Sequence, residues 1–322
     1  MNTFNDFFFS IKTNVHMKIV NRIAQLFHNP LTVASALLYL FSNYIKNDEW
    51  YVKARYYTYT GKKLNLDNPQ TFNEKINWLK LYNRNPLYTQ MVDKIEAKRF
   101  VANIIGEKYI IPTLGIWEHP EEIDFDSLPN QFVIKCNHNS SVCICKDKSM
   151  ADIDKIRKSL TKGLKQDYYV KDREWPYKDV NRRIIAEKFM SDEKNKDLAD
   201  YKFFCFNGMP KYCQVIKDRS TKETIDFFDM NWNHQLFIGL NPSVKNAKQA
   251  PTCPAKFDEM KEIATKLAQG LPFSRIDLYE IKGNVFFGEI TFFPGSGRGT
   301  FRPEKWNDIF GSWIKLPERK TK

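Results

Sequence analysis

An α+β fold built from mostly antiparallel sheets with helices packed on them is predicted, and three observations carry it. First, apolar strand-like runs come in neighbouring pairs: Gln131 to Cys136 with Val142 to Lys146, Tyr201 to Phe206 with Lys211 to Ile216, and Ser274 onward with the run through Glu289. Second, segments of helical period lie between those pairs instead of alternating one-for-one with single strands. Third, 322 residues with 42% hydrophobic and 15% aromatic side chains suffice for a large core and two or three subdomains.

Taken in order, residues 1–58 read as helices with a break at Pro30. Met1 to Phe9 is aromatic and lacks the basic start, apolar middle and cleavage site of a secretory signal. The apolar run Leu31 to Phe41 is too short to span a bilayer. It suits either docking on the protein's own core or peripheral contact with the inner face of a membrane, since Lys12, Lys18, Arg22, Phe27 and Lys46 flank it. A turn-rich loop from Gly61 to Pro69 follows.

Thr71 and Glu74 have capping-box spacing and open a helix carrying Ile76, Leu79 and Lys80. One helix from about Tyr88 to Ile105 carries Asp93, Lys94 and Lys98. Residues 109–116 read as a strand interrupted by Pro112, 150–166 as a helix, and Arg183 to Phe189 as a strand. Asn207-Gly208 is a hairpin turn, and Phe257 to Leu267 is an amphipathic helix. Three parts are expected: a helical N-terminal segment 1–70, a first lobe 71–186 and a second lobe 187–322.

The net charge of +12 favours anionic partners such as nucleotide phosphates, acidic sugars or anionic lipid. No basic–aromatic array or zinc-finger spacing occurs, so nucleic acid is not expected. Cys136, Cys143, Cys145, Cys205, Cys213 and Cys253 form no CxxC pair and read as free thiols of a reducing compartment. His16, His28, His119 and His234 show no ligand spacing. Trp175, Trp232 and Trp306 are read as packing residues rather than sugar platforms.

The chemistry concentrates in the run from Ser274 to Gly297. With a three-residue loop centred on Gly283, Asp277 lies across from Glu289, and Arg275 across from Thr291 on the same face. A two-residue turn would put the two acids on opposite faces. Carboxylates meeting on one face repel unless a cation joins them, and oxygen ligands of this kind suit Mg²⁺. Lys135 ends an apolar strand beside the polar loop Asn137 to Ser141, whose backbone and hydroxyls would wrap phosphate oxygens. Glu187, Lys188 and Phe189 end another strand and would offer edge backbone groups to a purine ring.

In this order, these segments resemble the ATP-grasp superfamily, and more closely its TupA-like family, whose genes belong to bacterial cell-surface polysaccharide synthesis. The carriers run from Asn68 through Lys75, Trp78 to Lys80, Asp93-Lys94, Ile111 to Gly115, Phe132 to His138, Ile185 to Lys188, Asp200 to Gly208, Arg275 to Asp277 and Gly288 to Gly297. The resemblance implies an ATP-grasp-like fold with the nucleotide between two lobes. It implies that Lys94 and Lys135 hold ATP phosphates, that Ser140 and Ser141 belong to the same cofactor-binding loop, and that Glu187 to Phe189 border the adenine. His138 in that loop would either orient a phosphate or serve as a structural turn histidine, the latter being favoured. Asp277, Glu289 and Thr291 would bind Mg²⁺, Arg275 would stabilise the transferred phosphoryl group, and Lys202 would touch phosphate or substrate. Arg219, Ser296 and Gly297 would face the substrate.

The implied activity is carboxylate–amine ligation through an acyl phosphate in the cytoplasm. The expected partners are an acidic glycan or lipid-linked sugar precursor and an amine or amino acid. A glycosyltransferase or sugar kinase of the same pathways, and a non-catalytic nucleotide- or glycan-binding protein, stand as alternatives. Two departures bear on this. The family loop reads His-Gly-Ser-Gly where this chain has His138, Asn139, Ser140 and Ser141, and many ligases carry Asn where Thr291 stands.

Overall fold

A computed structural model describes residues 30–191 and 197–319. The expectations for Met1 to Phe9, Lys12, His16, Lys18, Arg22, Phe27 and His28 lie outside the described residues. Contacts divide the chain into residues 1–64 and 65–322.

In the first unit, α1 (Pro30–Leu40) and α2 (Asp48–Thr60) form where helices were expected, with Pro30 at the helix start, a position that needs no backbone N–H. The Asn47 side chain caps α2 by accepting from Trp50 N, and Gly61 ends it at φ 73°.

The second unit begins with α3 (Phe72–Tyr82), closed by the expected capping box: Glu74 N donates to Thr71 Oγ1 (3.2 Å), and Thr71 N to Glu74 Oε2 (3.0 Å). The single helix expected from 88 to 105 is two, α4 (Leu87–Val92) and α5 (Glu96–Ile105). Asp93 leaves the helical region (ψ 114°), and its Oδ1 accepts from Ile95 N at 2.8 Å. This Asx turn outcompetes helix continuation.

A four-stranded sheet follows, in the order β1 (Thr113–Trp117), β4 (Ile184–Lys188), β2 (Phe132–Cys136), β3 (Val142–Cys145). The strand expected from 109 starts only after Pro112, which cannot donate to the ladder. α6 (Ile153–Lys165) places Ile156 and Leu160 on one face of this sheet, against Phe132, Ile134, Cys136, Ile184 and Ala186. The short α7 (Tyr168–Asp172) comes next. The lobe boundary expected at 186/187 falls inside β4.

The second sheet has six strands. Its order is β11 (Asn284–Thr291), β10 (Phe273–Ile281), β5 (Asp200–Phe206), β6 (Met209–Lys217), β7 (Thr224–Asp229), β8 (His234–Gln235). Every pairing in both sheets is antiparallel. The β5–β6 turn is Asn207-Gly208, with φ of 49° and 83°, as the dipeptide predicts. α8 (Phe257–Ala268) covers one face. α9 (Lys305–Trp313) lies with the small sheet of β9 (Ile238–Leu240) and β12 (Thr300–Arg302).

The core there is aromatic. Phe310 is fully buried and meets Phe72, Phe204, Phe206 and Phe301 edge-to-face at 5.4–5.9 Å. Such pairs contribute roughly 0.5–1.5 kcal/mol each beyond the area they bury. α3 thereby belongs to this second core, although its sequence position suggested the first lobe. The tryptophans pack, as expected: Trp175 is buried, Trp232 stacks on Phe228 (4.2 Å), and Trp306 on Phe237 (4.1 Å). All six cysteines are free thiols.

Candidate functional site

The β10–β11 hairpin closes with a two-residue turn, Lys282 and Gly283, both at positive φ (52° and 74°). The three-residue loop expected at Gly283 is therefore corrected. By register alone this turn would put Asp277 and Glu289 on opposite faces. A bulge at Gly288 shifts the ladder by one residue between Asp277 and Leu278, so Asp277 pairs with Glu289 and Arg275 with Thr291 after all. The bulged position is close-packed: a Cβ on Gly288 would meet Tyr279 Cε2 at 2.9 Å and the Asp277 carbonyl oxygen at 3.0 Å.

The group joining the two acids here is Arg275. Its Nε donates to Asp277 Oδ1 (2.7 Å) and its Nη2 to Asp277 Oδ2 (2.8 Å). The same Nη2 reaches Glu289 Oε1 and Thr291 Oγ1, both at 3.0 Å. Lys202 on β5, the register partner of Asp277, forms a second close ion pair with Asp277 Oδ2. Lys202 also lies 3.7 Å from Asp200, which pairs with Arg219 at 2.8 Å. Asp277 is 1% exposed, and burial pushes its carboxyl up against the pull of Arg275 and Lys202. The Glu289 side chain is 44% exposed. Desolvation opposes its ionisation, but Arg275, Lys94 and Lys202 outweigh it and bring the carboxyl from 4.5 down to about 2.

On the other sheet, Glu187 lies between two lysines, Lys135 Nζ at 2.5 Å and Lys98 Nζ at 2.6 Å. These two cations overcome the cost of its burial and hold the carboxyl below its usual range. The cross-strand pairs Val133–Glu187, Val133–Ile144 and Lys135–Val142 place these side chains on one sheet face, opposite the α6 core. Val142 and Ile144 are each 54% exposed there. That face is apolar at its edge and cationic at its centre.

The Asp93 break sends Lys94 to the same place. Its Nζ donates to the Asn139 carbonyl oxygen at 2.8 Å. Burial lowers the Lys94 pKa, Lys135 adds to that, and Glu289 and Glu187 oppose it. The mutual influence of Lys94 and Glu289 brings the charges of the two sheets into one neighbourhood.

The polar loop after β2 is less open than its sequence suggests. The Asn137 side chain is fully used: Nδ2 donates to Asp93 Oδ1 (2.9 Å) and the Asn181 carbonyl (2.8 Å), and Oδ1 accepts from Arg183 N (2.8 Å). His138 is buried, with Nε2 3.0 Å from the Gln166 carbonyl oxygen, and burial lowers its pKa. Its ring thus donates inward to the backbone, an arrangement that suits a structural turn histidine. Asn139 reaches Gly163 of α6, where a Cβ would come within 2.8 Å of Cys136 Sγ. Ser140 and Ser141 are exposed, although Ser141 N is taken by Asn139 Oδ1 at 2.9 Å.

The strand that ends in Glu187, Lys188 and Phe189 is partly occupied by its neighbours. β4 is internal to its sheet, with neighbours on both sides, and Lys188 N donates to the Pro112 carbonyl at 2.9 Å. Only from Phe189 onward does the chain leave the ladder.

Ser296 and Gly297 are buried and held from α3. Lys80 Nζ donates to the Ser296 carbonyl at 3.0 Å, Asn77 Nδ2 to that of Gly297 at 2.8 Å, and Asn73 Nδ2 to that of Gly299 at 2.8 Å. Positions 73, 77 and 80 share a helix face, a polar stripe the sequence displayed but whose partners it hid. Lys98 was also missed as a site residue, although its spacing from Lys94 puts both on one side of a helix. Glu174, near Lys80 and Ser296, was not singled out either, and burial raises its carboxyl to about 7. Arg219 is about half exposed, between Asp200 and Glu223.

A family model described as TupA-like ATPgrasp matches residues 74–315. No curated protein matches the chain. Solved structures with similarity include D-alanine–D-alanine ligase from Bacillus anthracis complexed with ATP, at 18% identity and TM-score 0.37, covering 64% of this chain and 54% of that one. D-Alanine–D-alanine ligase from Helicobacter pylori shows 15% identity and TM-score 0.41, covering 76% and 69%. The ATP-grasp ligase PsnB complexed with minimal precursor shows 11% identity and TM-score 0.39, covering 71% and 61%. This chain thus spans about half of the Bacillus anthracis ligase.

Proposed function

The chain belongs to the TupA-like ATP-grasp family, and from that premise we propose that it is an ATP- and Mg²⁺-dependent carboxylate–amine ligase acting on a cell-surface polysaccharide or its precursor. The observation that carries this reading is the charge arrangement. The helices on either side of Lys94, α4 and α5, both pack on β11, the strand of Glu289. The lysine-rich sheet face and the acid-bearing hairpin are therefore neighbours, and Lys94 and Glu289 bear on each other's ionisation. When bound, MgATP would supply the phosphoryl group that activates a substrate carboxylate toward an amine.

The chain's own residues suit that partner. Lys94, Lys98 and Lys135 outnumber the Glu187 between them and would neutralise phosphate oxygens, while exposed Val142 and Ile144 offer an apolar rest for a base. Glu289 and the Thr291 hydroxyl, with Asp277 behind them, form a hard-oxygen set that fits Mg²⁺. Glu289 is its accessible member. Arg275 and Lys202 pair with Asp277 and oppose the upward push of burial on its carboxyl, and Arg275 is placed to stabilise negative charge growing beside the hairpin. Ser296 and Gly297, braced by α3, would frame the substrate, and Arg219 would approach the acceptor. The +12 charge favours an acidic acceptor such as a uronic acid, with an amino acid or amine as second substrate.

A second reading, nucleotide binding without turnover, is favoured by one observation: Arg275 and Lys202 together engage both Asp277 oxygens. One experiment separates the two. Purified protein is assayed for Mg²⁺-dependent release of ADP and phosphate with uronic acids and amines, beside nucleotide thermal shifts. Release only when acid and amine are both present is the expected result. Stabilisation by nucleotide with no release under any pairing favours the second reading, and turnover of nucleotide sugars without ATP overturns both.

A further inference from the structure

The N-terminal unit carries an unusual surface. α1 holds eleven residues without a charged side chain, and none of them is buried. Leu37, Leu40 and Phe41 fall at the i, i+3, i+4 positions of one helical face, and Tyr44 follows in the turn after it. Their exposures are 49%, 67%, 51% and 79%. Helical hydrogen bonding runs past the end of α1, with Phe41 N donating to the Leu37 carbonyl at 2.9 Å. α1 is fastened to α2 from another side: Arg55 Nη1 donates to the Ser35 carbonyl (3.0 Å) and hydroxyl (2.6 Å). The apolar row is therefore not the face that α1 uses against α2. On α2, Trp50 is 54% exposed.

Charge identifies the partner. From Phe7 to Asn47 the chain contains no Asp or Glu, whereas 38 of its 322 residues are acidic. The same run carries Lys12, Lys18, Arg22 and Lys46. A protein interface does not require acids to be absent. A negatively charged lipid surface repels them and attracts lysine and arginine, and it takes exposed leucine and aromatic side chains at the boundary of headgroups and acyl chains. Among the described residues no helix is long and apolar enough to cross a membrane, so contact would be in the plane of the surface.

We propose that the N-terminal unit binds the surface of an anionic lipid bilayer through the row Leu37, Leu40, Phe41 and Tyr44. This stands independently of the ligase reading. The test uses the full-length protein in flotation assays with vesicles of phosphatidylcholine, with or without phosphatidylglycerol. The protein floats with the anionic vesicles and not with the neutral ones, and binding weakens in about 1 M salt, where screening acts within about 3 Å.

The combined variant Leu37→Ser, Leu40→Ser, Phe41→Ser removes only exposed side chains. It binds about tenfold or more weakly at an unchanged melting temperature. Brominated lipid quenches fluorescence of the wild type, and that portion disappears in Trp50→Phe. The proposal is overturned if the wild type ignores anionic vesicles, or if the triple variant binds them equally well. It is likewise overturned if the substitutions instead abolish self-association of a protein that never binds vesicles, which would make the row an interface between copies.

Discussion

The four-stranded and six-stranded sheets both hold paired charges beside the Lys94–Glu289 neighbourhood, but with different balances. On the first, one carboxylate, Glu187, is shared by Lys98 and Lys135, with Lys94 close by. On the second, three cations, Arg275, Lys202 and Arg219, meet three acids, Asp277, Glu289 and Asp200. The spare charge is positive on the first side, whereas the second is balanced and leaves the Glu289 side chain 44% exposed. A buried ion pair stabilises little by itself, because desolvation consumes most of the attraction. A cationic surplus set near a partly exposed acid suits the ligand proposed above, one that carries both signs, a polyphosphate with its divalent cation.

The sharpest way to break this contrast is Asp277→Asn. Arg275, Lys202 and Arg219 would then face two acids, Glu289 and Asp200, and the balance on that side would turn positive. Turnover falls by about a thousandfold, and the loss of a charge from a buried network lowers stability by about 3–5 kcal/mol. Product release and denaturant midpoints check the two effects separately. Unchanged turnover would remove the hairpin from the chemistry.

On the other side, Lys135→Met leaves Glu187 paired with Lys98, so the fold survives while one of the charges proposed to face phosphate is lost. The KM for ATP rises about tenfold to a hundredfold, the worth of one charge-assisted hydrogen bond, with a smaller change in kcat. A fall in kcat alone would reassign Lys135 from binding to positioning.

A third substitution tests the register. Gly288→Ala puts a methyl group where Tyr279 and the Asp277 carbonyl leave no room. The bulge must shift, at about 1–3 kcal/mol, and Glu289 turns away from Asp277. The effect falls on kcat more than on the KM for ATP, since the lysine face is untouched.

The bulge also marks the limit of what the sequence displayed. Asp277 facing Glu289 was read from a supposed three-residue loop. The pairing exists because two departures from a regular hairpin cancel, a two-residue turn and one extra residue at Gly288. A glycine inside a strand is a signal for such a bulge, but its position in the ladder depends on a partner strand.

Short-range chemistry was legible: the Thr71 capping box, the Asn207-Gly208 turn, the alternation along β2. What required tertiary structure was the direction of polar side chains. Asp93 breaks a helix by bonding its own backbone, and it can do so because Asn137 and Arg183 meet it from distant segments. His138 turns inward because α6 ends beside it with the unpaired carbonyl of Gln166. Glu187 faces two lysines because β2 and α5, distant in sequence, bring Lys135 and Lys98 to the same sheet face. None of these follows from composition or periodicity.

The mildest test concerns acid. The folded Glu289 pKa of about 2 lies below its ordinary 4.5. A carboxyl depressed in this way contributes stability that is fully present above the unfolded value and is lost as pH falls through the folded one. The stability gap between wild type and Glu289→Gln is therefore constant near neutrality and narrows between about pH 4.5 and about pH 2. Asp277, pushed upward by burial, contributes with the opposite sign but is present in both proteins. Because Glu289 is partly exposed, solvent screens the effect and the narrowing is small. Denaturant titrations across that range measure it. A gap that stays flat down to pH 2 would mean that Arg275 and Lys94 do not act on Glu289 in solution, and the link between the two sheets would be lost.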